Sequence, residues 1–188
     1  MRKLLVQVSG ISGCAPYQGY VVILRELNGL RLLPIFVGVF EAHNINLLYQ
    51  GVRTARPLTY DFCRNLLEAA DARVIDVTVT ELRENTFFAQ VDMVMSNGET
   101  RSIDARPSDA IALAIRMRVP IYVVDSVMDE AGFNGSDLPG ELPERAPGDR
   151  RINELTAQLH VAVENEAYED AARLRDKIRE LEAKGHNV

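Results

Sequence analysis

FFAQVDMVMSNGETRSIDARPSDAIALAIRM, residues 87–117, changes its period within one short stretch. Phe87, Ala89, Val91, Met93 and Met95 recur at every second position, the signature of a strand with one face turned to a core. Asn97-Gly98 supplies the dipeptide that a tight hairpin turn favours, and residues 100–104 return as a second strand. Pro107 then suits the first position of a helix over 107–117. That helix is apolar nearly all round as far as Ile115, so it is predicted to be buried.

Working outward, residues 74–82 form another alternating strand, with Ile75, Val77 and Val79 on one face. The unit strand, strand, Asn-Gly, strand, helix has an echo nearer the N-terminus. Residues 3–9 and 20–27 read as strands, Asn28-Gly29 as a two-residue primed turn, and residues 31–37 as a returning strand. Pro34 cannot donate to a ladder, so this strand belongs at an edge or bulges there. A helix follows over 39–50, with Phe40, Asn44, Leu47 and Leu48 near one face. A clearer one spans 57–70, where Leu58, Phe62, Leu66 and Ala69 repeat at helical spacing. Downstream, Ile121 to Val124 make a short apolar strand and residues 126–131 a last helical turn. Two equivalent halves pair most simply into one mixed, curled or barrel-like sheet flanked by helices, an α+β domain over residues 1–132.

Beyond that domain the composition shifts. Residues 133–150 read as a linker: three prolines and three glycines fall between 133 and 149 with few apolar residues among them. Residues 151–186 read as a charged helical hairpin, with Leu155, Leu159, Ala162 and Val163 on the first helix and Ala171, Ala172, Leu174, Ile178 and Leu181 on the second. A helix pair this short buries little surface alone, so it is expected to dimerise, dock on the main domain or bind another protein. The whole chain is 47% apolar and 26% charged, the balance of a globular protein. Its net charge of −6 disfavours unspecific, salt-driven binding to phosphate backbones but leaves room for a local basic patch. Cys14 and Cys63 are far apart and form no metal-spaced pair, no apolar run reaches membrane-spanning length, and the N-terminus lacks a signal-peptide core. The expectation is a cytoplasmic protein with no membrane contact and no organic cofactor.

Asp104-Ala-Arg-Pro-Ser-Asp-Ala-Ile-Ala-Leu-Ala-Ile-Arg116, followed by Val119-Pro-Ile-Tyr-Val-Val and Ala131-Gly132, resembles the bifunctional nuclease family, as does Arg56-Pro57-Leu58-Thr59-Tyr60-Asp61 in the first half. The resemblance covers residues 1–132. It implies a duplicated β/α unit around one barrel-like sheet, nuclease activity on DNA and RNA, and self-association into a homo-oligomer. The tail from Leu155 to Ile178, with Glu166-Ala-Tyr-Glu-Asp-Ala-Ala-Arg-Leu-Arg-Asp-Lys at its centre, resembles the UVR motif. That motif is similar to the C-terminal hairpin of the excision-repair helicase subunit, which contacts the nuclease subunit, and it also occurs in protease adaptors. It implies a protein partner, with Tyr168 and Leu174 as candidate contacts.

A nuclease needs an activated water, stabilisation of growing negative charge, and often Mg²⁺ or Mn²⁺ held by carboxylates. Asp104, Arg106 and Asp109 place two carboxylates and a guanidinium at a strand-to-helix junction whose free N–H groups favour anions. Asp104 is then a metal ligand or base, and Arg106 a bidentate phosphate clamp. Glu41 and His43 hold the corresponding helix start of the first half. If the halves face each other, Glu41 completes a carboxylate cluster and His43 is a base or ligand. Structural roles compete at each position. Asp109 and Asp61 each fit a first helical turn as caps, and Asp104 fits a bridge to Arg106 or Arg56. The histidines are His43, His160 and His186, and Ser108 has no matching His–Asp set, which argues against a Ser-His hydrolase. Two functions fit: a metal-assisted phosphodiesterase, or a non-enzymatic oligomeric regulator that recruits a repair or proteolysis partner through the hairpin.

Overall fold

The computed structural model describes residues 2–13, 19–52, 54–135, 155, 158 and 167–185. The chain divides into two compact units, Met1–Leu138 and Pro139–Val188. In the first, β1 (Lys3–Gly13), β2 (Tyr20–Glu26) and β3 (Arg31–Val37) lead into helices α1 (Val39–Tyr49) and α2 (Thr59–Ala69). Next come β4 (Arg73–Arg83), β5 (Thr86–Val94), β6 (Thr100–Ala105), α3 (Pro107–Met117), β7 (Ile121–Val124), α4 (Asp125–Ala131) and the two-residue β8 (Phe133–Asn134).

The strands form one mixed, eight-stranded sheet in the order β6-β5-β4-β7-β1-β2-β3-β8. It consists of two antiparallel meanders, β1-β2-β3 and β4-β5-β6, which is the duplicated unit read from the sequence. β7 joins them, running antiparallel to β1 and parallel to β4. The sheet stays open, with β6 and β8 as its ends. β8 reaches only Arg31 and Leu32 of β3, so Pro34 lies where that strand has a free edge and the missing donor costs nothing.

The core is built from β-branched and aliphatic side chains of every long strand, closed on one side by α1 and α3. Pro107, Ser108, Ala110, Ile111, Ala112 and Ala114 are all buried, so α3 is the central helix that its sequence predicts. At about 25 cal/mol per Å², small residues contribute little each, but they let the helix backbone lie close to the sheet.

Several local expectations are corrected. Val74 and Val77 face the core while Ile75 is exposed, because the ladder between β4 and β5 shifts register between Val74 and Asp76. On α1 the buried residues are Ala42 and Ile45, and Phe40 is left 77% exposed. On α2 the stripe containing Phe62 and Leu66 faces outward, and the helix packs through Tyr60 and Leu67 instead. Asn28-Gly29 lies in a four-residue connection and neither residue has positive φ, so no primed turn forms there. That turn occurs at Glu84-Asn85, both left-handed, where Arg83 pairs with Thr86.

In the second unit, α5 (Tyr168–Gly185) is a helix, and of the expected first helix only residues 155 and 158, both helical, are described. Leu155 and Ile178 are buried and Leu174 is half-buried. The Tyr168 side chain and residues 136–150 of the expected linker lie outside the described residues. Among the described residues, no helix is long and apolar enough to cross a membrane.

Candidate active site

The site is assembled at the start of α3. Arg106 is its N-cap residue in extended conformation (φ −68°, ψ 145°), and its carbonyl accepts from the N–H of Asp109 at 3.1 Å and of Ala110 at 3.0 Å. Pro107 in the next position has no N–H to leave unpaired. Because Pro107 and Ser108 are buried, the flanking Arg106 and Asp109 side chains are turned outward on the same helix entrance.

Arg106 Nε donates to Asp109 Oδ2 at 2.7 Å and Nη2 to Asp109 Oδ1 at 3.2 Å, a bidentate fork. Its remaining arm, Nη1, donates to Glu41 Oε1 at 3.1 Å. Glu41 comes from the first turn of α1. A Cβ on Gly38 would stand 2.5 Å from Glu41 Oε2, so the bare glycine leaves the carboxylate room to turn toward Arg106. From α2, the Tyr60 hydroxyl donates to Asp109 Oδ1 at 2.9 Å. The Arg106 side chain remains 66% exposed, against 25% for Glu41 and 39% for Asp109.

Two carboxylates thus share one guanidinium at a solvent-reached helix entrance. Bonds to Asp109, and then to Glu41, raise the Arg106 guanidinium above its already high value, so it is a permanent cation. Burial, followed by the hydrogen bond to Asp109, pushes the Tyr60 phenol well up, so it stays a proton donor at neutral pH. Next to Tyr60, Asp61 accepts from the Leu58 N–H at 3.0 Å, which is the helix-capping role expected of it, and also pairs with Arg116 in the last turn of α3. Neighbouring residues of α2 therefore grip both ends of α3. That grip fixes where Tyr60 meets Asp109.

Of the residues singled out in the sequence, the fold brings Glu41, Arg106 and Asp109 together and leaves Asp104 out. Asp104 pairs with Gln90 and Ala105 with Ala89 across the β5–β6 ladder. Ala89 and Ala105 face the helices, so strand alternation turns Asp104 to the opposite face and leaves it exposed. There its neighbour Ser102 donates to Asp92 Oδ1 at 2.5 Å. The expected bridges from Asp104 to Arg106 or Arg56 are not formed. Asp109 likewise spends its carboxylate on Arg106 and Tyr60 rather than on its own helix cap. His43 lies two residues on from Glu41, about 200° round the helix, so it points to another side of α1. Tyr60 was missed, because the stripe of Phe62 and Leu66 made the other face of α2 look like the buried one. Among the described residues, no group of three or more His, Cys, Asp and Glu side chains is arranged to hold a metal ion.

The bifunctional nuclease domain model matches residues 22–136, and the UvrB/uvrC motif matches residues 149–184. An uncharacterised protein of Mycobacterium tuberculosis is 40% identical over 150 residues, covering 80% of this chain and 87% of that protein. Bifunctional nuclease 2 of Arabidopsis thaliana is 28% identical over 198 residues, covering 95% of this chain and 60% of that protein. Bifunctional nuclease 1 of Oryza sativa subsp. japonica is 29% identical over 197 residues, covering 93% of this chain and 58% of that protein.

Proposed function

The chain belongs to the bifunctional nuclease domain family, and from that premise we propose that it is a phosphodiesterase acting on DNA and RNA through Glu41, Arg106 and Asp109. The observation that carries this reading is the exposed Arg106 guanidinium, oriented by carboxylates from two different helix beginnings. Asp109 and Tyr60 hold the guanidinium plane in place, so it meets a phosphate already aligned. Arg106 then binds two non-bridging oxygens and neutralises the charge that grows on them. Displaced from Arg106 by that phosphate, Glu41 is free to accept a proton from the attacking water.

Mg²⁺ or Mn²⁺ fits the donor set in one form only. Two carboxylates suit an ion that keeps most of its water and is completed by substrate phosphate, and they do not make an all-protein cage. Glu41 and Asp109 would hold it, and it would supply charge neutralisation and a more acidic bound water. Asp104, on the other face of the sheet, is not needed for either job.

The test is cleavage of single-stranded DNA and of RNA by purified protein with Mg²⁺, Mn²⁺ or EDTA. Arg106→Ala and Asp109→Asn are expected to lower turnover by about 100-fold or more, the scale of losing one preorganised charge-stabilising group. Asp104→Asn is expected to change it little. Equal activity in all variants would mean that the chemistry lies elsewhere. Absence of turnover in the wild type under every metal would favour the second reading, an oligomeric regulator without catalysis, to which the net charge of −6 lends weight.

The same reading has the tail recruit a protein partner through residues 151–186, with Tyr168 and Leu174 in the contact, in a cytoplasmic setting. It also has the nuclease-like unit self-associate. Among the described residues, Phe36, Phe40, Phe62 and Leu66 lie exposed, and such large apolar side chains support that reading.

A further inference from the structure

At the opposite end of α3 from Arg106, an open groove of about 740 Å³ runs between that helix terminus, the end of α1 and strands β1 and β2. Its lining includes Arg25, Arg118, Tyr49, Gln7 and Ser9 over an aliphatic floor, and among the described residues no carboxylate. In a chain of net charge −6 that is a local inversion of sign. Arg25 and Arg118 are both exposed, and neither joins an ion pair among the described residues. By contrast, Arg31 alone engages Glu26, Asp125 and Asp129.

Arg118 also occupies an unusual backbone position. It ends α3 in the left-handed conformation (φ 58°), where glycine is the common occupant. α1 ends the same way with Gly51, at φ 67°. A long cationic side chain is therefore held over the groove at a position where a bare backbone would be the easier choice. Tyr49, at the last position of α1, is 49% exposed and adds an aromatic face to the same groove.

We propose that this groove binds single-stranded nucleic acid, with Arg25 and Arg118 on phosphates and Tyr49 stacked on a base. Unpaired cations along a cleft with one aromatic platform are the chemistry that tracks a flexible polyanion without reading its sequence. From Asp109 to Arg118 the helix rises about 13 Å, which is about four stacked nucleotides at 3.4 Å each. The groove would then hold a strand some nucleotides away from the bond being cleaved. This inference rests on the reading of the substrate as nucleic acid, but it concerns binding and not turnover.

The experiment is fluorescence anisotropy of a short labelled oligothymidylate with the full-length protein in EDTA, across a salt series. The wild type is expected to bind. The double variant Arg25→Gln/Arg118→Gly is expected to bind about tenfold more weakly, and its slope of log K against log salt to flatten by about 1.4, two phosphate contacts' worth. Tyr49→Ala is expected to weaken binding about fivefold or more while Tyr49→Phe retains it. Since Arg118→Gly puts glycine in a left-handed position, its melting midpoint should not fall, so weakened binding would not reflect a damaged fold. Unchanged affinity and slope in the double variant would overturn the proposal. So would competition by polyglutamate as effective as by unlabelled oligothymidylate, which would mark a site for acidic peptides. Loss of cleavage in Arg106→Ala with groove binding intact separates the two sites: either can fail without the other.

Discussion

Asp92 shows how a single residue can tie stability to pH on the face of the sheet away from the helices. Burial raises its carboxyl, but the Ser102 hydroxyl, the Lys3 charge and the Gln90 amide together outweigh that and hold it below the usual carboxylate range. A depressed folded-state value means that the stabilisation is fully present above the unfolded-state value and is lost as pH falls through the lower, folded one. Stability is therefore expected to decline below about pH 4, the ordinary range of an aspartate. Asp92→Asn should remove part of that decline: urea midpoints of variant and wild type should differ at pH 7 and draw together as the pH falls below about 4. A constant gap would show that Asp92 does not titrate with folding. At this scale the sequence pointed to Glu41, Arg106 and Asp109 by residue type and by their place at helix beginnings, and the fold brings those three side chains together. It could not show that Asp104 lies apart from them, because a one-residue step along a strand reverses the face and the sequence alone does not say which face the helices cover.

Among the elements, α3 decides the most. It carries Arg106 and Asp109 at one end and Arg118 at the other, and its middle is packed against the sheet. Ile111 is fully buried there. Ile111→Ala is expected to cost about 2–5 kcal/mol, measured as a fall in denaturation midpoint with little change in slope. A cost near zero would mean that the helix is not the keystone of the packing. α3 was legible because an apolar run without a polar face has nowhere to go but inside. α1 and α2 were misread in their orientation: each has two candidate apolar stripes, and only contact with α3 selects one. All three helices finish alike. In each, the N–H of the residue after a left-handed one returns to a carbonyl five residues back, from Val52 to Leu47, Ala72 to Leu67 and Val119 to Ala114, at 2.9–3.1 Å. Left-handed Gly51, Asp71 and Arg118 make those turns. Only the first of these is a glycine, so the other two stops carried little sequence signal.

For the molecule as a whole, the continuous core among the described residues runs from Leu4 to Met128, all of it within the first compact unit. Deleting residues 139–188 is therefore expected to leave the first unit's unfolding midpoint and its oligomeric mass in solution unchanged, as read by thermal denaturation and light scattering. A large drop in either would mean that the tail is part of the same folding unit. The order of elements, the internal duplication, the buried central helix and the break in composition before the tail were all determined by the sequence, because periodicity and turn chemistry act over a few neighbouring residues. Which face of each strand and helix is covered was decided only by the tertiary structure. So was the meeting of Glu41 with Arg106 across 65 residues of chain, and the pairing of β7 with both β1 and β4. Those outcomes depend on competition among distant surfaces for one core, and no local pattern encodes the winner.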